Sequence, residues 1–157
     1  MKKIDLAAAP VRHGTRYPPP YDEPCRLRER WRVGQAAGLT QFGVNQMRLP
    51  PGAWSSQRHW HSHDDEFVMV LAGEVVLVTD EGDETFHAGD SVGFRAGDAN
   101  GHHFQNRSDA DVVLLEVGTS HPLEDRCTYS DINLISQPGG VYTDRDGAPF
   151  ETAPRHF

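Results

Sequence analysis

The chain has 157 residues, a formal net charge of −8 and only two cysteines, Cys25 and Cys127. That length supports one domain whose core needs neither disulfides nor a metal as a staple. The acidic balance argues against nucleic acid or an anionic membrane as partner, and no stretch reaches the apolar length of a membrane span. The opening MKKIDLAAAPVRHG carries too short an apolar run for a signal peptide, so the expectation is a cytoplasmic protein with two free thiols.

Helical periodicity is nearly absent. Short β-rich runs alternate with Gly, Asp, Asn and Pro, which is the pattern of an all-β sandwich or barrel. In chain order the predicted strands are 39–49, 56–61, 66–71, 74–79, 84–87, 91–94, 102–106 and 112–118, separated by turns such as Pro50-Pro51-Gly52, Asp64-Asp65 and Asp80-Glu81-Gly82-Asp83. About eight strands is the number a jelly roll uses. The expected organisation is an N-terminal arm over 1–38 packing on the barrel or a partner, a barrel over 39–119 and a C-terminal extension over 120–157. The arms are expected to be extended and partly ordered, and DRDGAPF near the C-terminus reads as one more hairpin.

Period 2 over the strand at 66–72 places Glu66, Val68, Val70 and Ala72 on one face and Phe67, Met69 and Leu71 on the other. The second face is too apolar for water, and a homodimer with an arm packed on its neighbour would cover it. On the strand before Pro50, either Asn45 and Met47 or Gln46 and Arg48 face inward.

The chemistry concentrates in RHWHSHDDE (58–66) and GHHFQN (101–106). Residues two apart on a strand share a face, so His59 and His61 can reach one ion while Trp60 points away. Glu66, after the Asp64-Asp65 turn, is expected to return to the same point from the adjacent strand position. A third imidazole from 102–106 would complete a mixed nitrogen and oxygen set, suited to Mn, Fe, Co, Ni, Cu or Zn rather than Ca or Mg. His63 reads as a rim residue, His87 as exposed, and Arg58 as outward-facing.

The run from Gly52 to Gly73 resembles the first motif of the cupin superfamily, Gly-x5-His-x-His-x(3–4)-Glu-x6-Gly. The run from Gly89 through Gly97 and His102 to Asn106 resembles the second, Gly-x5-Pro-x-Gly-x2-His-x3-Asn. Stretches such as GLTQFGVNQMRLPPGAWSSQRHWHS and DDEFVMVLAGEVVLVTDEG are similar to a group of small bacterial cupins of unassigned activity, some labelled sugar-phosphate-isomerase-like or regulator-like. The chain departs from the motifs in one extra residue before His59, Arg95 in place of Pro, and two extra residues between Gly97 and His102. The last insertion leaves His102 and His103 as alternatives for the fourth ligand, and the spacing to Asn106 favours His102.

The resemblance implies a double-stranded β-helix and one divalent transition metal (Zn, Mn, Fe or Ni) on His59, His61, Glu66 and His102. Three functions fit. One is a metalloenzyme of isomerase or lyase type acting on an organic acid or sugar derivative, with Glu66 as candidate base. The others are an Fe- or Mn-dependent dioxygenase and a non-catalytic module that binds a small molecule. Phosphorylated sugars would require a basic cluster at the barrel mouth, for which Arg48, Arg58 and Arg95 are candidates.

Overall fold

The computed structural model describes residues 3–151. In chain order its strands are β1 (Val11–His13), β2 (Glu29–Trp31), β3 (Phe42–Leu49), β4 (His59–His61), β5 (Glu66–Ala72), β6 (Glu74–Thr79) and β7 (Gly82–His87). They continue as β8 (Ser91–Phe94), β9 (His103–Gln105), β10 (Val112–Thr119), β11 (Cys127–Tyr129), β12 (Ile135–Gln137) and β13 (Val141–Thr143). A single helical turn, α1 (Val33–Ala36), joins β2 to β3. Every strand pairing is antiparallel.

Two layers result. The first is one six-stranded sheet in the order β1-β2-β3-β10-β5-β8. The second consists of β13-β12-β11-β4 and β7-β6-β9, linked by isolated bridges between His59 and His102 and between Trp54 and Gln105. Alternation decides what lies between the layers. Met47, Leu49, Val68, Val70, Val112 and Leu114 point inward from the first sheet and are buried against Val75, Leu77, Phe86 and Phe104 from the second. Asn45 and Met47 therefore take the inward pair of positions on β3. Arg48 lies on the outer side, 2.7 Å from both Glu29 and Asp111.

Gly73 makes the corner between β5 and β6. Its φ is +85°, and a Cβ there would lie 2.8 Å from the Asp111 carbonyl oxygen, so both the backbone conformation and the close approach require glycine.

The described parts of the arms, residues 3–38 and 120–151, are built into the two layers. β1 and β2 extend the first sheet past β3, while β11, β12 and β13 extend the second past β4. Neither arm has enough apolar side chains for a core of its own. Together they enclose Tyr17, Cys25, Cys127, Tyr129, Leu134 and Tyr142 in a second core. Tyr17 meets Tyr129 edge-on at 5.3 Å and Tyr142 at 5.9 Å, geometries that aromatic quadrupoles favour. Both cysteines are buried there as thiols. After β13, Asp144 caps the turn that brings Pro149 back against Thr143. No helix among the described residues is long and apolar enough to cross a membrane.

Candidate metal centre

β4 carries His59 and His61 on one face. Its neighbour β11 sets Tyr129 opposite His59 and Cys127 opposite His61. On the other side, His59 and His102 exchange backbone hydrogen bonds of 3.1 and 2.9 Å, which brings the second histidine cluster into register with the first. His102 thereby faces the barrel interior. His103 points the other way: its ring is bonded to the Ser56 carbonyl at 2.8 Å and packs edge-on against Trp54.

Glu66 does not arrive from the adjacent strand. β5 pairs with β8 and β10 in the facing sheet, so the Asp64-Asp65 turn carries the chain across the sandwich. The carboxylate reaches the histidines through the barrel interior. Residues adjacent in sequence with a tight turn between them need not pair, and here the apolar face of β5 belongs to the opposite layer.

The inner atoms converge on Glu66 Oε2. His102 Nε2 lies 2.9 Å from it, and His59 Nε2 and His61 Nε2 each lie at 3.7 Å. Two of the three rings are oriented from behind. The Nδ1–H of His59 donates to the Gln57 carbonyl at 2.9 Å, and that of His61 donates to Asp125 Oδ2 at 2.6 Å. The His102 ring is stacked on Phe94 with a 3.5 Å centroid separation. Anchored outer nitrogens and free inner nitrogens are the arrangement found in histidine metal ligands. His59, Glu66 and His102 form one group able to hold an ion, with ligand atoms within 4.8 Å of one another, and His59, His61 and Cys127 form a second. The residues present therefore fit a divalent metal.

The electrostatics of Glu66 and His59 agree with this fit, whereas a metal would have to displace the ring proton of His61. Burial raises the Glu66 pKa, but the His102 hydrogen bond and the His59, His61 and His102 charges outweigh it and hold the carboxyl well below its ordinary value. Burial lowers His59 to about 3, keeping it a neutral imidazole, the form that ligates metals. Burial also opposes charge on His61, but the bonds to Asp125 and Cys127 prevail and raise it.

Among the described residues, the other predicted ones make no hydrogen bond or ion pair with these four side chains. His63 is exposed and bonded to Ser62, and exposed His87 contacts Glu74 at 3.2 Å. Arg58 is neutralised by Asp80 and Asp131, so neither it nor Arg48 offers a free charge. Arg95 is exposed at the rim of a cavity of about 230 Å³ that opens onto His61, Glu66 and His102 and whose walls also bear Asp64, Glu81, Glu84 and Asp98. A second cavity, of about 290 Å³, contains all of His59, His61, Glu66 and His102.

Sequence reasoning missed Asp125, Cys127 and Tyr129. Their alternation at positions 125, 127 and 129 is the one local signal that they share a face. Nothing local states that this face meets β4.

A family model described as a cupin domain matches residues 45–118. A solved structure from Silicibacter pomeroyi, described as a sugar phosphate isomerase from a cupin superfamily, is 44% identical, with a TM-score of 0.89 over 96% of this chain and 97% of that one. One from Acidithiobacillus ferrooxidans is 25% identical, with a TM-score of 0.70 over 82% of each chain. Another from Thermotoga maritima, at 24% identity and a TM-score of 0.52 over 60% of this chain and 81% of that one, shares the fold. No curated protein matches. With this likeness in sequence and in architecture, the chain belongs to the cupin superfamily.

Proposed function

We propose that this cupin is a metal-dependent enzyme of isomerase or lyase type acting on a small polar metabolite, with His59, His61, Glu66 and His102 holding one divalent transition ion. The carrying observation is the convergence of three imidazole nitrogens on one oxygen of Glu66 inside a cavity. The neighbour from Silicibacter pomeroyi, described as a sugar phosphate isomerase, supports the reaction class. A cytoplasmic setting suits the two buried free thiols.

A bound divalent ion would act as a Lewis acid on a carbonyl or hydroxyl oxygen of the substrate. The remaining work belongs to side chains. Glu66, held ionised at neutral pH by the surrounding histidines, would take a proton from a neighbouring carbon or hydroxyl only through an oxygen not engaged by the ion, and a carboxyl held so far below its ordinary value is a weak base. Asp125 fixes the His61 ring through Nδ1, leaving Nε2 directed inward. Val68 and Phe104 contribute apolar surface to the cavity wall beside the histidines.

The test is elemental analysis of protein grown in metal-balanced medium, with His59→Ala as control, followed by isomerase assays on aldose and ketose phosphates. Stoichiometric metal in the wild type, its loss in His59→Ala and turnover that follows metal content are expected. Stoichiometric metal retained in His59→Ala would refute the ligand set. Metal without turnover on any sugar or organic acid would favour a binding module over an enzyme.

A further inference from the structure

The N-terminal arm supplies the floor of the 290 Å³ cavity with guanidinium groups: Arg12, Arg16, Arg28 and Arg30 line it together with the histidine cluster. The placement follows from register. Arg12 on β1 pairs with Arg30 on β2, and Arg30 pairs with inward-facing Met47 on β3, so all three point into the barrel. Parity along the same stretch turns Arg28 inward as well.

These charges are unequally compensated. Arg30 has its own partner, lying 2.9 Å from Glu116. Arg28 is only 5% exposed and is bonded to the Gly14 and Ser55 carbonyl oxygens, with no carboxylate partner among the described residues. Arg12 and Arg16, both half-buried, likewise have no carboxylate partner among those residues. Burial and the neighbouring Arg16, Arg32, Arg30 and Arg28 charges lower the Arg12 guanidinium to about 10. A chain of net charge −8 thus concentrates uncompensated positive charge at one place, beside its metal-ligand cluster. Burying guanidinium groups without counter-ions is costly unless an anion completes the site.

We infer that this cavity binds the phosphate group of a small phosphorylated metabolite, with Arg12 and Arg16 as its specificity-determining contacts and Arg28 as the fixed charge behind them. This inference rests on the metal-centred reading for the reaction, and the arginine cluster can be tested apart from it. A phosphate monoester carries close to two negative charges at pH 7, matching more than one free guanidinium, and the planar fork of arginine bonds phosphate oxygens in pairs. The cavity across Glu66 offers the opposite net field, with Asp64, Glu81, Glu84 and Asp98 on its walls against the single guanidinium of Arg95, and would repel the same group. A ligand anchored on the arm would present its other end to the histidine cluster. At about 290 Å³ the cavity is at the small end of ligand sites, the size of a short metabolite.

The experiment is calorimetric titration of inorganic phosphate, and separately of acetate, into metal-loaded wild type, Arg12→Ala, Arg16→Ala, Arg12→Lys and His59→Ala, with metal content and thermal melting recorded for each. The expected result is phosphate binding in the wild type that exceeds acetate binding and falls about tenfold or more in Arg12→Ala and in Arg16→Ala. Metal content and melting should not change in those two variants, Arg12→Lys should recover part of the affinity, and His59→Ala should lose metal and still bind phosphate. Wild type that fails to bind phosphate, Arg12→Ala and Arg16→Ala variants that bind it undiminished, or acetate bound as tightly would each overturn the inference. An Arg12→Ala protein with a lowered melting point is judged by Arg16→Ala and Arg12→Lys instead. Wild type devoid of metal would remove the metal-centred reading alone, and arginine-dependent phosphate binding in that sample would still support the inference.

Discussion

Asp125 touches no other proposed ligand, yet the structure makes it the residue on which the orientation of His61 depends. Replacing it with Asn keeps the shape and leaves an amide oxygen able to accept the His63 backbone N–H, which Asp125 Oδ1 accepts at 3.0 Å. What the change removes is both the negative charge and the acceptor 2.6 Å from His61 Nδ1, because the amide NH2 then faces the ring N–H. The Asp125 side chain is 10% exposed, so the lost interaction is only weakly screened. Burial raises the Asp125 carboxyl, but the His61 hydrogen bond and charge together with the His63 and Asp64 backbone N–H groups outweigh it and bring it to about 2. Removing a partner of this kind behind a metal ligand typically weakens metal affinity by about 10- to 100-fold, or about 1.4–2.7 kcal/mol. Competition against a chromophoric chelator would read that loss directly, with thermal melting of the metal-free form as the reference. Unchanged metal affinity in Asp125→Asn would refute the argument that Asp125 positions His61. Equal losses of affinity and of metal-free stability would reduce its role to holding the loop between β4 and β5.

Loss of metal should lower the melting temperature without unfolding the chain, because Met47, Leu49, Val70, Val75, Val112 and Leu114 are buried independently of the ligands. At a free-metal level 100 times Kd the linkage is about 2.7 kcal/mol, or about 5–10 °C for a chain of this size. Complete loss of structure by circular dichroism in chelator would contradict this. Gly73→Ala should destabilise the fold by about 1–3 kcal/mol through strain at φ +85° and contact with the Asp111 carbonyl, and an unchanged urea midpoint would refute it. On the outer face of the first sheet, Val117 lies in register between Val44 and Phe67, and Leu115 beside Met69. With Phe67 40% and Leu71 43% exposed, this face is expected to pack on a second copy. Light scattering that shows a monomer at micromolar concentration would exclude that.

Much of the molecule was legible because its signals are local. Strand alternation separates Val68 and Val70 from Phe67 and Leu71 without reference to any other element. The spacing His59-x-His61 places two imidazoles on one face by the same rule, and strands β3 to β10 fall close to the eight predicted segments. What remained hidden depends on pairings between residues far apart in the chain. The spacing to Asn106 favours His102 over His103, but the reason that its ring meets Glu66 is the bridge between His59 and His102 and the arrival of Glu66 from the opposing sheet. Asp125 and Cys127 join the site because β11 adds to β4, more than 60 residues away in sequence. The basic floor of the cavity comes from Arg12, Arg16 and Arg28, whereas Arg48 and Arg58, the likelier choices by proximity to the motif, are neutralised by carboxylates. Side-chain direction along a strand is set by backbone geometry within a few residues, so sequence alone determined the faces. Which faces meet, and which charges are left without partners, is settled by the packing of whole strands, and only the tertiary structure decided it.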